Sequence, residues 1–416
     1  MIRVVKKISK GRVADRSKNK SKRQAFRQGC VYPDASSPCR LMLREKGNGN
    51  VEKTVSEFFA GIGLMRMGLE RAGWRVVFAN DIDPDKHAIY KAHFNHGDDG
   101  FALDDIHKLN PESVPATALA TASFPCNDLS LAGAREGLNG KQSSAFWGFV
   151  SILRKMGERR PPILLVENVL GFLSARGGND FRDALIALNE LGYSVDPFII
   201  DASWFVPQSR QRLFVVATRG DDTNVDVPES SLRPDALRKF IVTHPEVRWN
   251  LSVLPAPKHR HPKLMNILEN LPDNAPEWWS KDRADYFLSQ MSDRHRMIAD
   301  AMIIRHRHSY ATAFRRVRNG KSMAEIRVDG LAGCLRTPRG GSGRQILFKA
   351  GFGKYAVRLL TPKECARLMG ADDFTITGTL NQALFGFGDA VCVPAIQWIA
   401  ETYLNPLANH LAYEAI

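Results

Sequence analysis

The sequence predicts an α/β protein with a doubly wound, mostly parallel β-sheet and a smaller second domain. Apolar runs of strand length alternate with helical patterns from Thr54 to Thr218, and this alternation is typical of a parallel sheet covered by helices. The alternation stops after Thr218, where a segment rich in Pro, Arg, His and Trp begins. A chain of 416 residues, 44% of them hydrophobic, is long enough for one large and one smaller domain.

The predicted elements follow one another without internal repeats. Strands are expected at 54–59, 74–80, 118–124, 163–166, 193–200 and 213–217, and helices at 64–72, 84–94, 145–156 and 181–191. Near the C-terminus, Thr361 is a candidate helix N-cap, followed by Pro362 in the first turn and by Glu364. A last helix, at about 393–404, has apolar residues at helical spacing and is expected to pack on the sheet.

Composition divides the chain into four segments. Residues 1–50 are rich in Lys and Arg, and Asp15 is the only acid among the first 30. Like charges repel, so we expect a flexible arm there, with an incidental extension as the alternative. Residues 51–219 form the predicted sheet domain, 220–343 the second domain, and 344–416 a C-terminal segment whose last helix returns to the first domain.

The net charge of +14 favours a polyanionic partner, and nucleic acid is the commonest one. Solubility alone is the alternative explanation of this charge. In the second predicted domain, basic residues are interspersed with aromatic ones, as suits a surface that binds phosphates. The residues concerned are Trp278, Trp279, Arg305, His306, Arg307, His308, Arg315, Arg316 and Arg318. A zinc site formed by His259, His261, His306 and His308 lacks nearby cysteines, so we expect no metal.

The six cysteines are scattered without CxxC pairs. This argues against a disulfide framework or a zinc ribbon and fits a reducing compartment. No apolar run approaches the roughly 20 residues of a membrane span, and the basic N-terminus lacks the apolar core of a secretory signal. We expect a cytoplasmic protein without membrane contact, acting as a monomer.

A glycine-containing turn, Phe59–Gly63, directly follows the first predicted strand. Glycines at such a turn let a ligand approach the backbone closely. The full dinucleotide fingerprint is absent because Arg66 stands where its third glycine would be. Asp81 ends the second strand, where a carboxylate can accept hydrogen bonds from ribose, and Asp105 follows the region of a third strand. A purely structural turn is the alternative, but the two acids favour a nucleoside ligand.

Reactive groups follow two further apolar runs. Pro125 and Cys126 come after the predicted strand 118–124, and Glu167 comes after 163–166. A thiol and a carboxylate at the ends of two strands of one sheet would face the same crevice. This combination suits nucleophilic attack on a ring that must also be protonated. The alternatives are a cysteine that serves as a small buried hydrophobe and a glutamate in an ordinary salt bridge.

Two arginines, Arg210 and Arg212, stand at the start of the strand after Pro207. They are candidates for stabilising a Cys126 thiolate and for binding a polar ring. Glu167 ends a run of buried aliphatic residues, so we expect a raised pKa and a proton-donating role for its carboxyl.

Together, these residues resemble the DNA cytosine-5 methyltransferases of bacterial restriction-modification systems, from Thr54 to about Leu404. Each motif alone is modestly specific, whereas their order and spacing together are very specific. The matching segments are Phe59–Gly63 (cofactor turn), Pro125-Cys126 (nucleophile), Glu167–Val169 (carboxylate), Gln208–Arg212 (QxRxR element), and Arg358–Gly370 and Phe387–Val391 (the two C-terminal motifs).

The resemblance implies a Rossmann-like methyltransferase fold in which 51–219 bind S-adenosyl-L-methionine (SAM) and catalyse the reaction. Residues 220–343 would recognise the target across a cleft sized for double-stranded DNA. The implied cofactor-binding residues are Phe59, Gly61, Gly63, Leu64, Asp81, Ile82, Asp105, Ile106 and Pro125; the catalytic residues are Cys126, Glu167, Arg210 and Arg212; the DNA-binding residues are Ser130, Gln208, Arg336 and Thr337.

The implied mechanism begins with attack of the Cys126 thiolate on C6 of a flipped-out cytosine. Glu167 would bind N3 and the exocyclic amine, and Arg212 would bind O2, while SAM supplies the methyl group to C5. The loop 130–144 would act as a lid. We expect such an enzyme to protect host DNA beside a separate restriction endonuclease. A tRNA cytosine-5 methyltransferase and a non-catalytic DNA-binding regulator are the alternatives.

The sequence departs from the family pattern in three places, the last of them a pair of residues. Asn127 stands where Gln is frequent, and Leu64 replaces a frequent glycine. Asp389 and Ala390 replace the usual Asn-Ser, and the additional carboxylate near the cofactor's sulfonium can alter cofactor affinity. None of these changes removes a reacting group.

Overall fold

The computed structural model describes residues 52–94, 100–125, 144–220, 222–258, 262–318, 320–337 and 344–414. Its larger sheet has seven strands in the order β3-β2-β1-β4-β5-β7-β6. The strands are β1 (Thr54–Phe58), β2 (Arg75–Asp81), β3 (Phe101–Leu103), β4 (Leu119–Ala122), β5 (Ile163–Val169), β6 (Tyr193–Asp201) and β7 (Gln211–Arg219).

The pairing of these strands confirms a mostly parallel sheet. Neighbours from β3 to β5 pair in parallel, whereas β7 is antiparallel to both β5 and β6. The exception has a physical cause: the connection 202–210 between β6 and β7 is too short for the crossover that a parallel pair requires.

Helices cover both faces of this sheet, as a doubly wound fold requires. They are α1 (Leu64–Arg71), α2 (Pro84–Phe94), α3 (Ala145–Met156), α4 (Gly171–Ser174), α5 (Asn179–Glu190) and α6 (Asp235–Thr243). The side chains of β5 alternate between two hydrophobic cores: Ile163 and Leu165 lie in one, and Leu164 and Val166 in the other. Since both faces of the strand are buried, its sequence is a continuous apolar run.

The strand ends differ from the prediction where the active-site residues stand. β1 ends at Phe58, because Phe59 has a positive φ of 58° and leaves the strand. β5 continues to Val169, so Glu167 and Asn168 belong to the strand and pair with Phe214 and Leu213. The expectation that they follow the strand is therefore wrong, since pairing with β7 holds their backbone extended.

The segment after Thr218, where the predicted alternation of strands and helices stops, contains regular structure. A second, antiparallel sheet has the order β11-β10-β8-β9. Its strands are β8 (Ser309–Arg318), β9 (Lys321–Arg327), β10 (Ile346–Gly351) and β11 (Lys354–Leu359), and the helices α7 (Lys281–Ser289) and α8 (Asp293–Ile303) precede it. Residues such as Phe287, Ile326 and Phe348 form its own core. Strands β8 and β9 precede the predicted domain boundary at 343, and β10 and β11 follow it. The boundaries of the four predicted segments stay predictions.

The C-terminal region begins with the predicted cap. Thr361 accepts a hydrogen bond from the Glu364 amide and Glu364 reciprocates, which forms a capping box at the start of α9 (Pro362–Leu368). After α10 (Leu380–Asp389) comes α11 (Val393–Ile399), which continues through a π-turn, Ala400–Leu404, into α12 (Asn405–Glu414). The last helical stretch is therefore longer than predicted.

Among the described residues, one helical stretch, Leu380–Leu411, is long and apolar enough to cross a membrane by length and composition alone. In the fold, 61% of its most apolar 18-residue window is buried inside the protein. α11 packs on α1 so closely that a Cβ on Gly68 would lie 2.6 Å from the Ile396 Cβ. The apolar surface of this stretch thus has a partner within the sheet domain.

Candidate active site

The turn after β1 has the backbone conformation that its glycines allow. Gly61 and Gly63 have φ values of 59° and 86°. A Cβ on Gly63 would lie 2.2 Å from the Phe94 ring, whereas a Cβ on Gly61 would meet nothing within 4 Å. The backbone at Gly61 is therefore open to a ligand. Its N–H donates to the Asp81 Oδ2 at 2.8 Å, which ties the turn to the end of β2.

The two strand-end acids lie on this edge of the sheet. Asp81 accepts a second hydrogen bond, from the Asp83 N–H at 2.9 Å, and carboxylate oxygens retain lone pairs for a further donor. The Asn80 side chain donates to the backbone carbonyls of Ala102 and Asp104, which joins the end of β2 to the loop of Asp105. The predicted grouping of turn and acids is present in the fold.

The neighbouring apolar residues divide into exposed and buried ones. Ile82 is 65% exposed beside Asp81, where its side chain can contact the flat face of a base. Leu64 and Ile106 are 1% and 5% exposed. Their side chains belong to the hydrophobic cores, so any ligand contact of these two residues has to come from the backbone.

A buried ion pair lies at the end of β5. The Arg212 Nε is 3.0 Å from the Glu167 Oε1, and the two side chains are 15% and 7% exposed. Burial raises the pKa of Glu167, and the charges of Arg212 and Arg210 and the Ser123 hydroxyl oppose this rise. The raised pKa is the direction that a proton-donating role requires.

Asn168 holds the segment that follows the neighbouring strand β4. The Asn168 Nδ2 donates to the Phe124 carbonyl at 3.1 Å, and Asn168 is buried. This bond holds the chain immediately before Pro125, which is exposed at the end of the described segment. Cys126 and Ser130 lie outside the described residues, as do most of the loop 130–144, His259, His261 and the arm 1–50.

Arg210 and Gln208 are buried and bonded to the backbone. The Arg210 Nη1 donates to the Leu335 carbonyl at 2.8 Å, and its Nη2 donates to the carbonyls of Gly388 and Ala390. The Gln208 Oε1 accepts from the Leu335 N–H at 2.9 Å, and its Nε2 donates to the Leu368 carbonyl at 2.7 Å. Both side chains therefore position the loop around Leu335.

Cys334 is a neighbour that sequence reasoning missed. The Arg210 Nη1 lies 3.1 Å from its Sγ, and the Arg212 Nη2 lies 3.9 Å away. Burial would raise the pKa of this thiol, but the charges of Arg210, Arg212 and Arg336 outweigh burial and lower it to about 7. A single cysteine without a motif offers no sequence signal for such a position.

Arg336 and Thr337 lie on the loop that these residues position. Arg336 is exposed, and the Thr337 Oγ1 donates to the Asp389 Oδ1 at 2.6 Å. The Asp389 Oδ2 is 2.8 Å from the Lys86 Nζ. The carboxylate that replaces the family's usual Asn thus has two partners.

Basic and aromatic side chains also lie together on the second sheet and its helices. The Arg283 Cζ is 4.1 Å from the centre of the Trp279 ring, and the Arg315 Cζ is 5.4 Å from it. Residues 305–308 are exposed. Within the described part of the chain, no three His, Cys, Asp or Glu side chains are grouped as metal ligands.

A family model matches most of the chain. The family model described as C-5 cytosine-specific DNA methylase matches residues 53–405. The chain is 26% identical over 355 residues to the type II methyltransferase M.Bsp6I of Bacillus sp. (strain RFL6), covering 83% of this chain and 97% of that protein. It is 26% identical over 358 residues to the type II methyltransferase M.HhaI of Haemophilus parahaemolyticus, covering 83% and 92%.

Solved structures show the same fold at lower identity. The Entamoeba histolytica methyltransferase EhMeth matches with a TM-score of 0.59 and 16% identity, covering 86% of this chain and 99% of that one. The S. pombe Dnmt2 methyltransferase matches with a TM-score of 0.55 and 18% identity, covering 85% and 98%.

Proposed function

Because the chain belongs to the C-5 cytosine-specific DNA methylases and is thus a DNA cytosine-5 methyltransferase, we propose that it modifies cytosine within a specific duplex sequence, with SAM as methyl donor. The observation that best supports the chemistry is the buried Glu167–Arg212 pair, tied through Asn168 to the strand that leads to Cys126. We further propose that the enzyme acts in the cytoplasm as a monomer.

The edge formed by Phe59–Gly63, Asp81, Ile82 and Asp105 fits SAM. The open backbone at Gly61 admits a ligand, the carboxylate of Asp81 accepts ribose hydroxyl hydrogen bonds, and the exposed Ile82 contacts the base. Asp105 accepts a hydrogen bond from the adenine amine. When bound, SAM supplies an electrophilic methyl group.

Cys126 is the proposed nucleophile, directly after Pro125 at the end of the β4 segment. Its thiolate forms a bond to C6 of the cytosine, and the ring electrons move to C5, which then accepts the methyl group. Loss of the C5 proton returns the electrons and breaks the bond between sulfur and C6. The base has to leave the duplex for this chemistry, at a cost of a few kcal/mol.

Glu167 and Arg212 act on the ring. A protonated Glu167 donates to N3 as electrons enter the ring, and burial raises its pKa in the required direction. Arg212, already held beside Glu167, binds O2. Arg210 and Gln208 position the loop 334–337, and Arg336 is available to contact DNA.

The Cys126→Ala variant tests this proposal. Because it lacks the nucleophile, it should bind duplex DNA and transfer no methyl from labelled SAM, while Cys39→Ala should match the wild type. In the presence of SAM, a 5-fluorocytosine duplex should become covalently linked to the wild type and not to Cys126→Ala, because C5 then carries fluorine in place of the proton whose loss would release the thiol. Turnover by the variant would refute the role of the thiol.

The substrate class and biological setting need a separate experiment. Parallel assays on duplex DNA and on tRNA distinguish the two enzyme alternatives, and transfer to tRNA alone would overturn the DNA proposal. The type II names of the similar proteins support a role in restriction-modification beside a separate endonuclease. Bisulfite sequencing of DNA from expressing cells should reveal one protected sequence.

A further inference from the structure

The C-terminal end of α10 lies between two parts of the active site. A Cβ on Gly386 would lie 2.7 Å from the Ile62 Cγ2, so a glycine is needed where the helix meets the cofactor turn. A Cβ on Gly388 would lie 2.5 Å from the Thr337 N, so a second glycine is needed where the helix meets the loop 334–337. One helix end therefore contacts both regions.

Asp389, at this helix end, has one partner in the loop 334–337 and one in α2, which follows Asp81. Its Oδ2 is 2.8 Å from the Nζ of Lys86, which lies in the first turn of α2. Its Oδ1 accepts from the Thr337 Oγ1 at 2.6 Å. The side chains of Lys86 and Asp389 are 22% and 44% exposed, so the ion pair is only partly screened by solvent.

Lys86 is also linked to the carboxylate proposed to bind ribose. The Asp81 Oδ1 accepts from the Asp83 N–H at 2.9 Å, and the Asp83 Oδ1 accepts from the Lys86 N–H at 3.2 Å. Lys86 is thus tied through its backbone to Asp81 on the cofactor side and through its side chain to Asp389 on the side of the loop. A neutral Asn at position 389 would accept the hydrogen bond of Thr337 but would lack the charge that attracts Lys86.

We propose that Lys86, Asp389 and Thr337 are positioning residues that form a clasp and couple the affinity for the cofactor to the affinity for DNA. The proposal rests on the proposed function, since it assigns the cofactor to the Asp81 side and DNA to the side of Arg336. Hydrogen bonds from ribose to Asp81 hold the turn at Asp83 and the start of α2, and with them Lys86, in place for Asp389. The clasp then holds Thr337, and with it the neighbouring Arg336, in place for DNA.

The test measures binding of S-adenosyl-L-homocysteine by calorimetry, with and without a duplex containing the sequence found by bisulfite sequencing. The wild type should bind this cofactor product more tightly when DNA is present. Asp389→Asn and Thr337→Val should reduce that enhancement at least about fivefold. Lys86→Met should do the same, whereas Lys86→Arg, which keeps the charge, should restore it.

Several outcomes separate the clasp from the proposed function. A merely structural role would lower the melting temperature of the variants and leave the enhancement by DNA unchanged. If the wild type binds the product and methylates DNA, but shows no enhancement or keeps it in Asp389→Asn and Thr337→Val, the clasp is refuted alone. If the wild type neither binds the product nor methylates DNA, the proposed function itself fails.

Discussion

At the scale of single residues, two carboxyl groups are removed from water, Glu167 in the active site and Glu57 in β1. Glu167 is 6% exposed and Glu57 is 1% exposed. Burial raises the pKa of both, because a charged carboxylate loses its hydration inside the protein. The two carboxyl groups differ in the partners that offset their burial. Glu167 has the Arg212 guanidinium at 3.0 Å, whereas the Glu57 Oε1 accepts a 3.3 Å hydrogen bond from the neutral Arg66 N–H.

The first prediction concerns Glu167→Gln. The variant keeps the shape of the side chain but has no acidic proton for the ring, so the single-turnover rate of methyl transfer should fall by about 10² to 10⁴. Rapid-quench assays with labelled SAM measure that rate. Glu229→Gln is the matched control, because Glu229 is 94% exposed. An unchanged rate in Glu167→Gln would show that the carboxylate is structural.

A second prediction concerns the pH dependence of stability. Burial raises the pKa of Glu57 from 4.5 to about 8, against the opposing charge of Arg66. Between these values the folded protein holds a proton that the unfolded chain has lost. The contribution of Glu57 to stability is therefore complete below about pH 4.5 and is lost as the pH rises through about 8.

Glu57→Gln stays neutral throughout, so its stability relative to the wild type should increase between pH 5 and pH 9, by on the order of 3 kcal/mol. Urea unfolding at a series of pH values measures this difference. The exposed Glu277→Gln should show a flat profile. A flat profile for Glu57→Gln as well would mean that Glu57 is ionised in the folded protein.

At the scale of the elements, the start of α9 is fixed by one buried carboxylate. Glu364 completes the capping box with Thr361 and accepts two hydrogen bonds, at 2.6 and 2.5 Å, from the Arg358 guanidinium of β11. Both side chains are at most 1% exposed. The helix and the second sheet are thereby joined by a bidentate ion pair without solvent screening.

The third prediction follows from this burial. Arg358→Met leaves the Glu364 charge buried without its partner and should destabilise the protein by about 3 to 5 kcal/mol. The double variant Arg358→Met/Glu364→Gln should recover part of that loss, because no uncompensated charge remains. Removing the exposed pair Arg296–Asp300 is the control and should change stability by about 1 kcal/mol or less. Equal losses in the single and double variants would contradict the argument.

At the scale of the whole molecule, prediction succeeded where local patterns and tertiary packing agree. The buried strands of the sheet and the capped helix α9 were predicted because apolar runs and cap residues are local signals. The second sheet was missed. Its strands β8 and β10 pair across a long stretch of intervening sequence. In addition, half-buried antiparallel strands rich in Arg show no regular alternation of apolar and polar residues.

The fold class, the family and the chemical types of the site residues could be predicted from the sequence, because glycines, acids, a Pro-Cys pair and their spacing are properties of the chain. Which polar residues face the reaction and which hold the surrounding loops could be read only from the folded protein. Arg210 and Gln208 resemble ligand-binding residues in sequence, yet their donors bond to backbone carbonyls. Such partners come from distant segments, and a buried polar group must find them wherever the fold brings them.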